Sequence, residues 1–491
     1  MKSQRKILAL AAAIIISVAN IATLAQQPLD RTKVPTPGAT PVLRVPTWTK
    51  TQLANGATLI VSERHNLPLV SFSINFIGGG NQFEPVGKRG VASLTASMLS
   101  EGTTTKTGDQ LSDALQLLGT SVGAGISGEE GSISFVSTAK NFDATLVILA
   151  DMMLNSTFPP EALERLRART LVSLTQAKDQ PNTIGAQVFA KILYGEAHPY
   201  GQRMTEASVK SITRDDIVAF QKAYFQPGRA IITVVGDVTP ATAKASVEKA
   251  LAAWTKAGDK PSFDYPKLPE LQPAKIYLVD KPGAAQSVVN IGLPGPPRNT
   301  PDYFALQVLN TILGGMFQSR LNANIREQKG YSYGVGSNFN YGKGPGAFRA
   351  GGAIFTDKTD AALIEFMSEL KGIVGGKPIT DEEIKTAKES LIQGLPQRFA
   401  SVTAISNAIT SLAVQGLPDD YYQTYAKNVS AVTKEDLLRV AKRYIDLNHL
   451  AIVIVGDRTV IEAPLKATGI APITYIDIEG NPVPMSTSSA N

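Results

Sequence analysis

Cysteine is absent from this 491-residue chain, and histidine occurs only 3 times. The absence of cysteine excludes disulfide bonds, cysteine-ligated zinc, iron–sulfur clusters, a thiol nucleophile and a lipidated N-terminal cysteine. Chemistry that needs an imidazole is restricted to His65, His198 and His449. A chain of this length forms roughly two to four domains, each large enough to bury a core without disulfides or structural metal.

A strong net charge is also lacking, and part of the formal +6 lies in the first residues. Basic residues at the N-terminus precede an apolar run over 7–18 and small residues up to Ala25, which is the pattern of a secretory signal peptide. The run is shorter than the ~20 residues that span a bilayer, so we expect cleavage after Ala25, export to the periplasm and no stable membrane span afterwards. An uncleaved membrane anchor is the alternative. Cleavage removes three positive charges and leaves +3, which is too weak for a nucleic-acid-binding protein.

An internal repeat divides the remaining chain. Residues 213–237 recur as residues 433–457 at a constant offset of 220, without a gap. Each copy predicts a threonine N-cap with an aspartate three residues later, a helix of about ten residues, a tyrosine and a buried β-branched strand that ends at Gly-Asp. The chain is therefore predicted to contain two copies of one α+β domain.

Each copy is expected to be a mainly antiparallel β-sheet packed with α-helices, and to open with a strand pair. The pairs are 58–63 with 69–79 and 275–280 with 287–295, and helices are predicted at 160–177 and 381–393. The predicted organisation is a signal peptide (1–25), an extended and weakly ordered N-terminal segment (26–47), a first domain (48–254), a proline-rich linker (255–273), a second domain (274–469) and a weakly ordered C-terminal tail (470–491).

Five stretches occur along the chain in a fixed order: the opening strand pair, HPYG at 198–201 with the strand that closes the first copy, VDKPGAAQS at 279–287, LGG at 313–315 and SRLNANIREQKGYSY at 319–333. Together they resemble the pitrilysin/insulinase family of zinc metallopeptidases, which includes the mitochondrial processing peptidase and bacterial two-domain members. The resemblance extends over nearly all of the chain beyond the signal peptide. It implies two homologous α+β domains that enclose a cleft.

The zinc motif of that family is missing. Active members carry H-x-x-E-H on a helix, because residues four apart share one helix face and both imidazoles can bind zinc while the glutamate activates water. Here Ser93, Ala96 and Ser97 stand at the histidine, glutamate and histidine positions, and Ser173 stands where the family has a further glutamate ligand. We therefore expect no zinc and no catalytic residue in this chain.

Two other routes to catalysis find little support in the sequence. The three histidines have no partner at metal-ligand spacing; a structural hydrogen bond is the favoured role for His198, and His65 and His449 are expected in a loop and a turn. A serine enzyme would need a base near Ser93 or Ser97 and a nucleophile elbow, and neither is recognisable. The glycine clusters lack the phosphate-loop pattern and predict tight turns or close backbone approach, and the glycines at 342–346 predict a flexible hairpin.

Arg326 and Tyr333 match an arginine and a tyrosine that, in the family, reach from the second domain toward substrate in the first-domain site. A guanidinium and a phenol can donate hydrogen bonds to a peptide carbonyl or an oxyanion. The residues alone favour a structural alternative, in which Arg326 pairs with Glu327 and Tyr333 packs in a strand; the resemblance favours substrate binding.

The resemblance implies an exported, non-catalytic subunit of a zinc metallopeptidase, which forms a heterodimer or larger assembly with a homologous chain that carries H-x-x-E-H and holds the zinc. Peptide is the expected substrate. Two alternatives stay open: a structural or peptide-binding protein with no role in hydrolysis, and a metallopeptidase active by itself.

Overall fold

The two copies of the repeated helix–strand unit form the centre of two β-sheets. The computed structural model describes residues 44–255 and 262–483. The chain divides into two units, residues 1–44 and 45–491, and all that follows concerns the second. The predicted signal peptide lies outside the described residues. Within the described ranges, no helix is both long enough and apolar enough to cross a membrane.

The first sheet has the strand order β1-β2-β6-β3-β5-β4 and the second the order β12-β7-β11-β8-β10-β9. The strands are β1 (Thr49–Gln52), β2 (Thr58–Glu63), β3 (Leu69–Ile77), β4 (Gly123–Ile126), β5 (Glu130–Thr138), β6 (Ala230–Gly236), β7 (Lys275–Asp280), β8 (Gln286–Gly295), β9 (Val335–Asn340), β10 (Gly346–Phe355), β11 (Ala451–Gly456) and β12 (Ile473–Ile476). Most neighbouring strands are antiparallel, while β2 with β6, β7 with β11 and β7 with β12 are parallel. The predicted fold class, two α+β halves with mainly antiparallel sheets, is confirmed.

Helices cover both sheets. They are α1 (Gly80–Phe83), α2 (Val91–Met98), α3 (Gly108–Leu117), α4 (Phe142–Leu154), α5 (Pro160–Ala177), α6 (Pro181–Tyr194), α7 (Glu206–Ser211), α8 (Arg214–Tyr224), α9 (Pro240–Ala250), α10 (Tyr303–Asn310), α11 (Thr359–Lys371), α12 (Asp381–Gln393), α13 (Val402–Gln415), α14 (Tyr421–Ala431), α15 (Lys434–Tyr444) and α16 (Arg458–Ala467). Two π-helical segments, Thr311–Gly315 and Asn322–Gln328, follow α10. The predicted helices at 160–177 and 381–393 are α5 and α12.

The repeated unit has the predicted structure in both copies. Thr213 and Thr433 are the N-caps of α8 and α15, and each side-chain oxygen accepts a hydrogen bond from the backbone N–H of the aspartate three residues on, at 3.2 and 3.1 Å. The carboxylates of Asp216 and Asp436 accept in return from the threonine N–H groups. These reciprocal bonds satisfy N–H groups that a helix start leaves without partners.

The predicted opening strand pairs are wrong. β6 lies between β2 and β3, parallel to the first and antiparallel to the second, and β11 lies in the same way between β7 and β8. Every residue of β6 and of β11 is buried. A strand that is apolar on both faces is most stable in the centre of a sheet, where both edges are paired and both faces are covered.

One helix of each half packs on the sheet of the other half. From the first half, α6 packs on β8 and β11, and from the second half, α13 packs on β3 and β6. At the second contact the hydroxyls of Thr233 and Thr410 lie 2.9 Å apart in a buried position. Gly185 allows α6 to approach β8, because a Cβ atom there would lie 2.7 Å from Nδ2 of Asn290. The two halves therefore share their cores.

The tips of two equivalent hairpins also meet. The carboxylate of Glu129, between β4 and β5, accepts hydrogen bonds from the hydroxyls of Tyr200 and Tyr265 and, at 2.8 Å, from the N–H of Lys343 between β9 and β10. A Cβ atom at Gly344 would lie 2.4 Å from the ring of Tyr265. The glycine hairpin predicted to be flexible is thus packed tightly, and Tyr265 of the predicted linker is part of this junction.

The predicted C-terminal tail is ordered where it is described. β12 lies inside 470–491 and pairs in parallel with β7. Ile476 is buried in the core that α6 shares with the second sheet. The prediction of a weakly ordered segment from residue 470 onward is therefore wrong for this part. The apolar strand β12 pairs with β7, whose backbone groups on that edge would otherwise lack partners.

Candidate functional site

The helix that carries the degenerate zinc motif is α2. It begins after Gly90, whose φ of +107° suits glycine. The carboxylate of Glu84 accepts hydrogen bonds from the N–H groups of Gly90 and Ala92, at 2.8 and 3.0 Å, and forms an ion pair with Arg89 at 3.0 Å. A carboxylate here satisfies free N–H groups and interacts favourably with the positive end of the helix dipole. The motif helix is thus held in a fixed position.

The three motif positions have different surroundings. Ser93 is half-buried and its hydroxyl donates to the carbonyl oxygen of Gly90 at 3.0 Å. Ala96 is only 4% exposed and belongs to the apolar core of the first half. Ser97, in contrast, is exposed to solvent. α2 itself packs against β4, α5 and α8.

The distal ligand position lies on a helix that contacts α2. Ser173 is on α5, where its exposed hydroxyl donates to the carbonyl oxygen of Arg169 at 3.1 Å. The side chains of Glu101, after α2, and Arg165, on α5, form an ion pair that joins the two segments. The two helices that carry these four positions are therefore in contact.

The residues at these four positions do not fit zinc. Zinc in proteins is bound by imidazole, thiolate or carboxylate groups, whereas the four positions offer three neutral hydroxyls and one methyl group. Two of those hydroxyls, on Ser93 and Ser173, already donate to their own helix. Within residues 44–255 and 262–483, no group of three or more His, Asp or Glu side chains is arranged to hold a metal ion. No metal-dependent step can be assigned to these residues.

The three histidines lie in separate environments. His65 follows β2 and is exposed, with Asp237 2.6 Å from Nδ1 and Glu63 2.7 Å from Nε2. His198 is 1% exposed, and its Nδ1 accepts from the N–H of Tyr200 at 3.1 Å. His449 lies in a turn before β11, beside Asp446. The structural roles predicted for all three agree with these positions.

Arg326 lies on the second π-helical segment, in the second half. Its guanidinium stacks over the ring of Phe317, 4.4 Å from the centroid, and its Nε is 3.3 Å from the carboxylate of Glu327. Phe317 is itself 60% exposed. The predicted pairing with Glu327 is present, but an exposed ion pair of this kind contributes little, about 0–1 kcal/mol, so the guanidinium can exchange this partner for another.

Tyr333 does not pack in a strand. It lies two residues before β9 and is 80% exposed, with its ring edge-on to Phe355 at 5.4 Å between centroids. Its neighbour Ser332 is buried, and the Ser332 hydroxyl donates to the carbonyl oxygen of Ala353 at 2.6 Å. Ser332 thus anchors the backbone, and the phenol of the adjacent Tyr333 is exposed. The structural alternative for Tyr333 is wrong.

A buried ion pair supports the segment that carries Arg326. Arg320 is almost fully buried and donates to the carboxylate of Glu383 at 2.6 and 2.8 Å and to the carbonyl oxygens of Lys377 and Pro378. Partial burial by itself raises the pKa of Glu383, but the hydrogen bonds and charge of Arg320, together with the hydrogen bonds from Thr380, outweigh it and lower that pKa to about 2. Arg320 is therefore structural and Arg326 is available to bind.

The structure separates the predicted residues into two sets. Ser93, Ala96, Ser97 and Ser173 lie together in the first half, and Arg326 and Tyr333 lie in the second, with no hydrogen bond or ion pair between the sets among the described residues. Two contributing residues were not predicted, Glu84 and Phe317. The only sequence signals for them were an acid six residues before Gly90 and an aromatic residue beside the LGG turn.

Comparison with known proteins agrees with this geometry. The family described as "Insulinase (Peptidase family M16)" matches residues 60–198, and "Peptidase M16 inactive domain" matches residues 211–391. The first match contains all four degenerate positions, and the second contains Arg326 and Tyr333. The chain belongs to the insulinase family, peptidase family M16.

Some similar proteins are named as proteases, and others as non-peptidase or inactive relatives. An "uncharacterized zinc protease" of Rickettsia felis is 27% identical over 350 residues, covering 70% of this chain and 82% of the relative. The "non-peptidase homolog YmxG" of Helicobacter pylori is 23% identical, covering 82% of this chain and 92% of the relative. The crystal structure of a "peptidase M16 inactive domain" from Pseudomonas fluorescens has a TM-score of 0.76 and 25% identity, covering 83% of this chain and 98% of that one.

A further structural neighbour is a longer protein. The "periplasmic protease PqqL" of Escherichia coli has a TM-score of 0.71 at 18% identity, and the match covers 85% of this chain but 46% of PqqL. This likeness shows the fold alone. The matched part of PqqL, a little less than half of its length, has the fold of most of the present chain.

Proposed function

We propose that this chain is an exported, non-catalytic subunit of a heteromeric zinc metallopeptidase. The observation that carries the proposal is the contrast between its two sets of residues. The motif helix keeps its place beside α5 but offers hydroxyl and methyl groups, with Ala96 packed into the core. On the second half, by comparison, Arg326 is half-buried with its guanidinium still accessible, and Tyr333 is exposed. The groups that would bind zinc and activate water are absent, whereas two side chains that can donate hydrogen bonds to a peptide are present.

In this proposal the partner is a homologous chain that carries H-x-x-E-H and zinc, in a heterodimer or larger assembly. Arg326 and Tyr333 donate hydrogen bonds to a peptide carbonyl, or to the oxyanion that forms when the partner attacks it. The ion pair of the guanidinium with Glu327 is weak because Glu327 is exposed to solvent. A peptide carbonyl can therefore replace Glu327 as the partner. The ring of Phe317 stacks against the guanidinium.

The proposed site of action is the periplasm. Its support is the N-terminal pattern of basic residues, apolar run and small residues, together with the small net charge of the chain that remains after cleavage. The name of one structural neighbour, a periplasmic protease, points the same way.

The test is reconstitution with a zinc-bearing homologue from the same genome. The two chains are co-expressed, and their complex is measured by light scattering and by hydrolysis of a quenched fluorescent peptide. Arg326→Ala or Tyr333→Phe is expected to lower turnover by about 10- to 100-fold, as loss of an oxyanion donor does, with unchanged complex formation and melting temperature. Tyr331→Phe, in the same loop, is the matched control and is expected to keep full turnover.

Three results would contradict the proposal. A monodisperse, inactive, zinc-free chain that binds no such homologue would leave it without a partner. An active complex indifferent to both replacements would favour the structural or peptide-binding alternative, for which the name of the Helicobacter pylori relative provides support. About one zinc per chain in the purified protein would restore the metallopeptidase active by itself.

A further inference from the structure

Arg349 is a cation without an acidic partner on the second sheet. It lies on β10, and no other residue of β8, β9, β10 or β11 is charged. The side chain is half-buried. Within residues 44–255 and 262–483 its one hydrogen bond runs from Nε to Oδ1 of Asn290, and the terminal nitrogens Nη1 and Nη2, neither of them fully buried, have no partner.

The elements around Arg349 supply no carboxylate. Gly292 on β8 and Asn338 on β9 lie directly across the sheet from it, and α6, which packs on β8 and β11, contains no aspartate or glutamate. Burial lowers the pKa of Arg349 and no charged group acts against that effect, although a guanidinium stays protonated at neutral pH. The more deeply buried Arg89 and Arg320, in contrast, each pair with a glutamate.

The face that carries Arg349 is only partly covered. Residues two apart on a strand share a face, so Asn290 and Gly292, which flank Arg349 on β8, belong to this one. Here α6 lies close to β8: a Cβ atom at Gly185 would be 2.7 Å from Nδ2 of Asn290, and a Cβ atom at Gly292 would be 3.0 Å from the ring of Phe189. The main strand contacts of α6 are with β8 and β11. Because β10 lies beyond this cover, the guanidinium can be reached from the face of the sheet.

The sheet edge next to Arg349 is covered, in contrast to its face. The π-helical segment Thr311–Gly315 packs on β9, the last strand of the sheet. A Cβ atom at Gly314 would lie 2.2 Å from the backbone nitrogen of Ser337. A ligand of Arg349 therefore meets the side chain on the face, and backbone pairing with an added strand does not contribute.

The repeat shows that the fold does not require a charge at this position. Since β6 and β11 are equivalent at the offset of 220, their registers with β3 and β8 make Asn290 equivalent to Ser73. The next strands then make Arg349 equivalent to Ser132 on β5. The first half forms the same sheet with a serine there. A purely structural role therefore does not explain why the second half carries a guanidinium.

We propose that Arg349 binds a carboxylate group of a peptide, either its C-terminus or an aspartate or glutamate side chain. With Nε bonded to Asn290, the terminal nitrogens form the pair of donors that the two oxygens of a carboxylate accept. Asn290 is fully buried and acts as a positioning residue for the guanidinium plane. One guanidinium balances one negative charge, so a phosphate dianion fits less well. The inference rests on the peptide-holding role proposed above, and not on the partner chain.

The experiment measures binding of short peptides, labelled with an uncharged dye, to the purified chain, residues 26–491, by fluorescence anisotropy. All probes share one sequence of otherwise uncharged residues. One has a free C-terminal carboxylate, one a C-terminal amide with a central glutamate, and one a C-terminal amide with a central glutamine. The first two are the acid probes and distinguish a peptide terminus from a side chain, and the third is the neutral probe.

Arg349→Gln is the test variant, because its Nε2 stands at the same place along the side chain as Nε of arginine and can keep the bond to Asn290. It is expected to weaken binding of at least one acid probe by about tenfold or more, and binding of the neutral probe not at all. Arg349→Lys keeps the charge without the pair of donors and should lose less. Arg398→Gln, at an exposed arginine of the same half, is the matched control and should change neither.

A second measurement reports on the guanidinium itself. Phenylglyoxal modifies accessible arginines, and mass spectrometry identifies the modified residues. The acid probe that binds should protect Arg349 and leave Arg398 reactive, whereas the neutral probe should protect neither. Loss of stability in a variant cannot produce this result, since it is obtained with the unaltered chain.

Four outcomes overturn the inference: no binding of any probe, equal loss for acid and neutral probes in Arg349→Gln, protection of Arg349 by the neutral probe as well, or stronger protection by inorganic phosphate than by either acid probe at the same concentration. The assay contains neither zinc nor partner. Acid-dependent binding in a chain that finds no zinc-bearing partner would therefore sustain the site at Arg349 and remove the proposed function, and an active complex whose subunit lacks such binding would do the reverse.

Discussion

The surroundings of two of the three histidines shift their pKa values in opposite directions. The carboxylates of Asp237 and Glu63 accept hydrogen bonds from the ring of His65 and raise its pKa above the ordinary value of 6.5. Burial lowers the pKa of His198, although the charge of Glu129 acts against this. Three histidines in the whole chain make each one separately observable by NMR. The two environments therefore predict two separable titrations on either side of 6.5.

The prediction is checked by following the ring nitrogens through a pH titration. His65 is expected to titrate above 6.5 and His198 below it, and Asp237→Asn should lower the first value only. The interactions of His65 stabilise the fold fully below 6.5, and that contribution is lost as pH rises through the raised pKa. His198 acts in the other direction: as pH falls below 6.5 the unfolded chain binds the proton first, so stability decreases. Coincident titration of both rings would contradict this account.

At the scale of single elements, α2 has become part of the core as well as losing its ligands. Ala96 is 4% exposed in the apolar core, while Ser97, the next residue, faces solvent. Ala96→Glu would bury a carboxylate and is expected to lower the free energy of unfolding by at least about 2 kcal/mol. Ser97→Glu, its matched control on the same helix, should change it by less than about 0.5 kcal/mol. Urea denaturation midpoints measure both.

Equal midpoints for the two variants would mean that position 96 opens to solvent, as a catalytic glutamate requires. The expected difference has a functional consequence. Restoring the zinc motif in this chain would then need a change in packing around α2 as well as four substitutions.

The elements differ in how far the sequence determines them. The caps of α8 and α15 were predicted because Thr213 with Asp216, and Thr433 with Asp436, interact over three residues. The positions of β6 and β11 were not predicted, because a central strand is chosen by burial on both faces, and its neighbours in the sheet are distant in the chain. The degenerate motif was visible as residue types at fixed spacing. The packing of α13 on β3 and β6 was not, since it joins residues that are distant in the chain.

The whole molecule is held together by the exchange of α6 and α13. Ile405, Ile409 and Val414 on α13 form one core cluster with Ile60, Ile231 and Val235 of the first sheet. Burial of each such aliphatic side chain contributes about 1.5–3 kcal/mol. Without α13 this face of the first sheet would be exposed to water, and the hydroxyl of Thr233 would lose the bond to Thr410. The sequence repeat divides the chain into two domains, but neither half has a complete core of its own.

Unfolding of the full chain is therefore expected to be one cooperative transition. Calorimetry should give a single peak, and Ile409→Ala should shift that whole peak, with a cost of about 2–5 kcal/mol. Residues 45–255 alone should associate or bind a hydrophobic dye, and fusion of residues 402–415 to them should restore a monomer. The same fusion with aspartate in place of Ile405 and Ile409 is the control and should fail. Two independent peaks, or a stable monomeric first half without α13, would show that α6 and α13 are not needed to complete the two cores. Each copy of the repeat would then fold by itself.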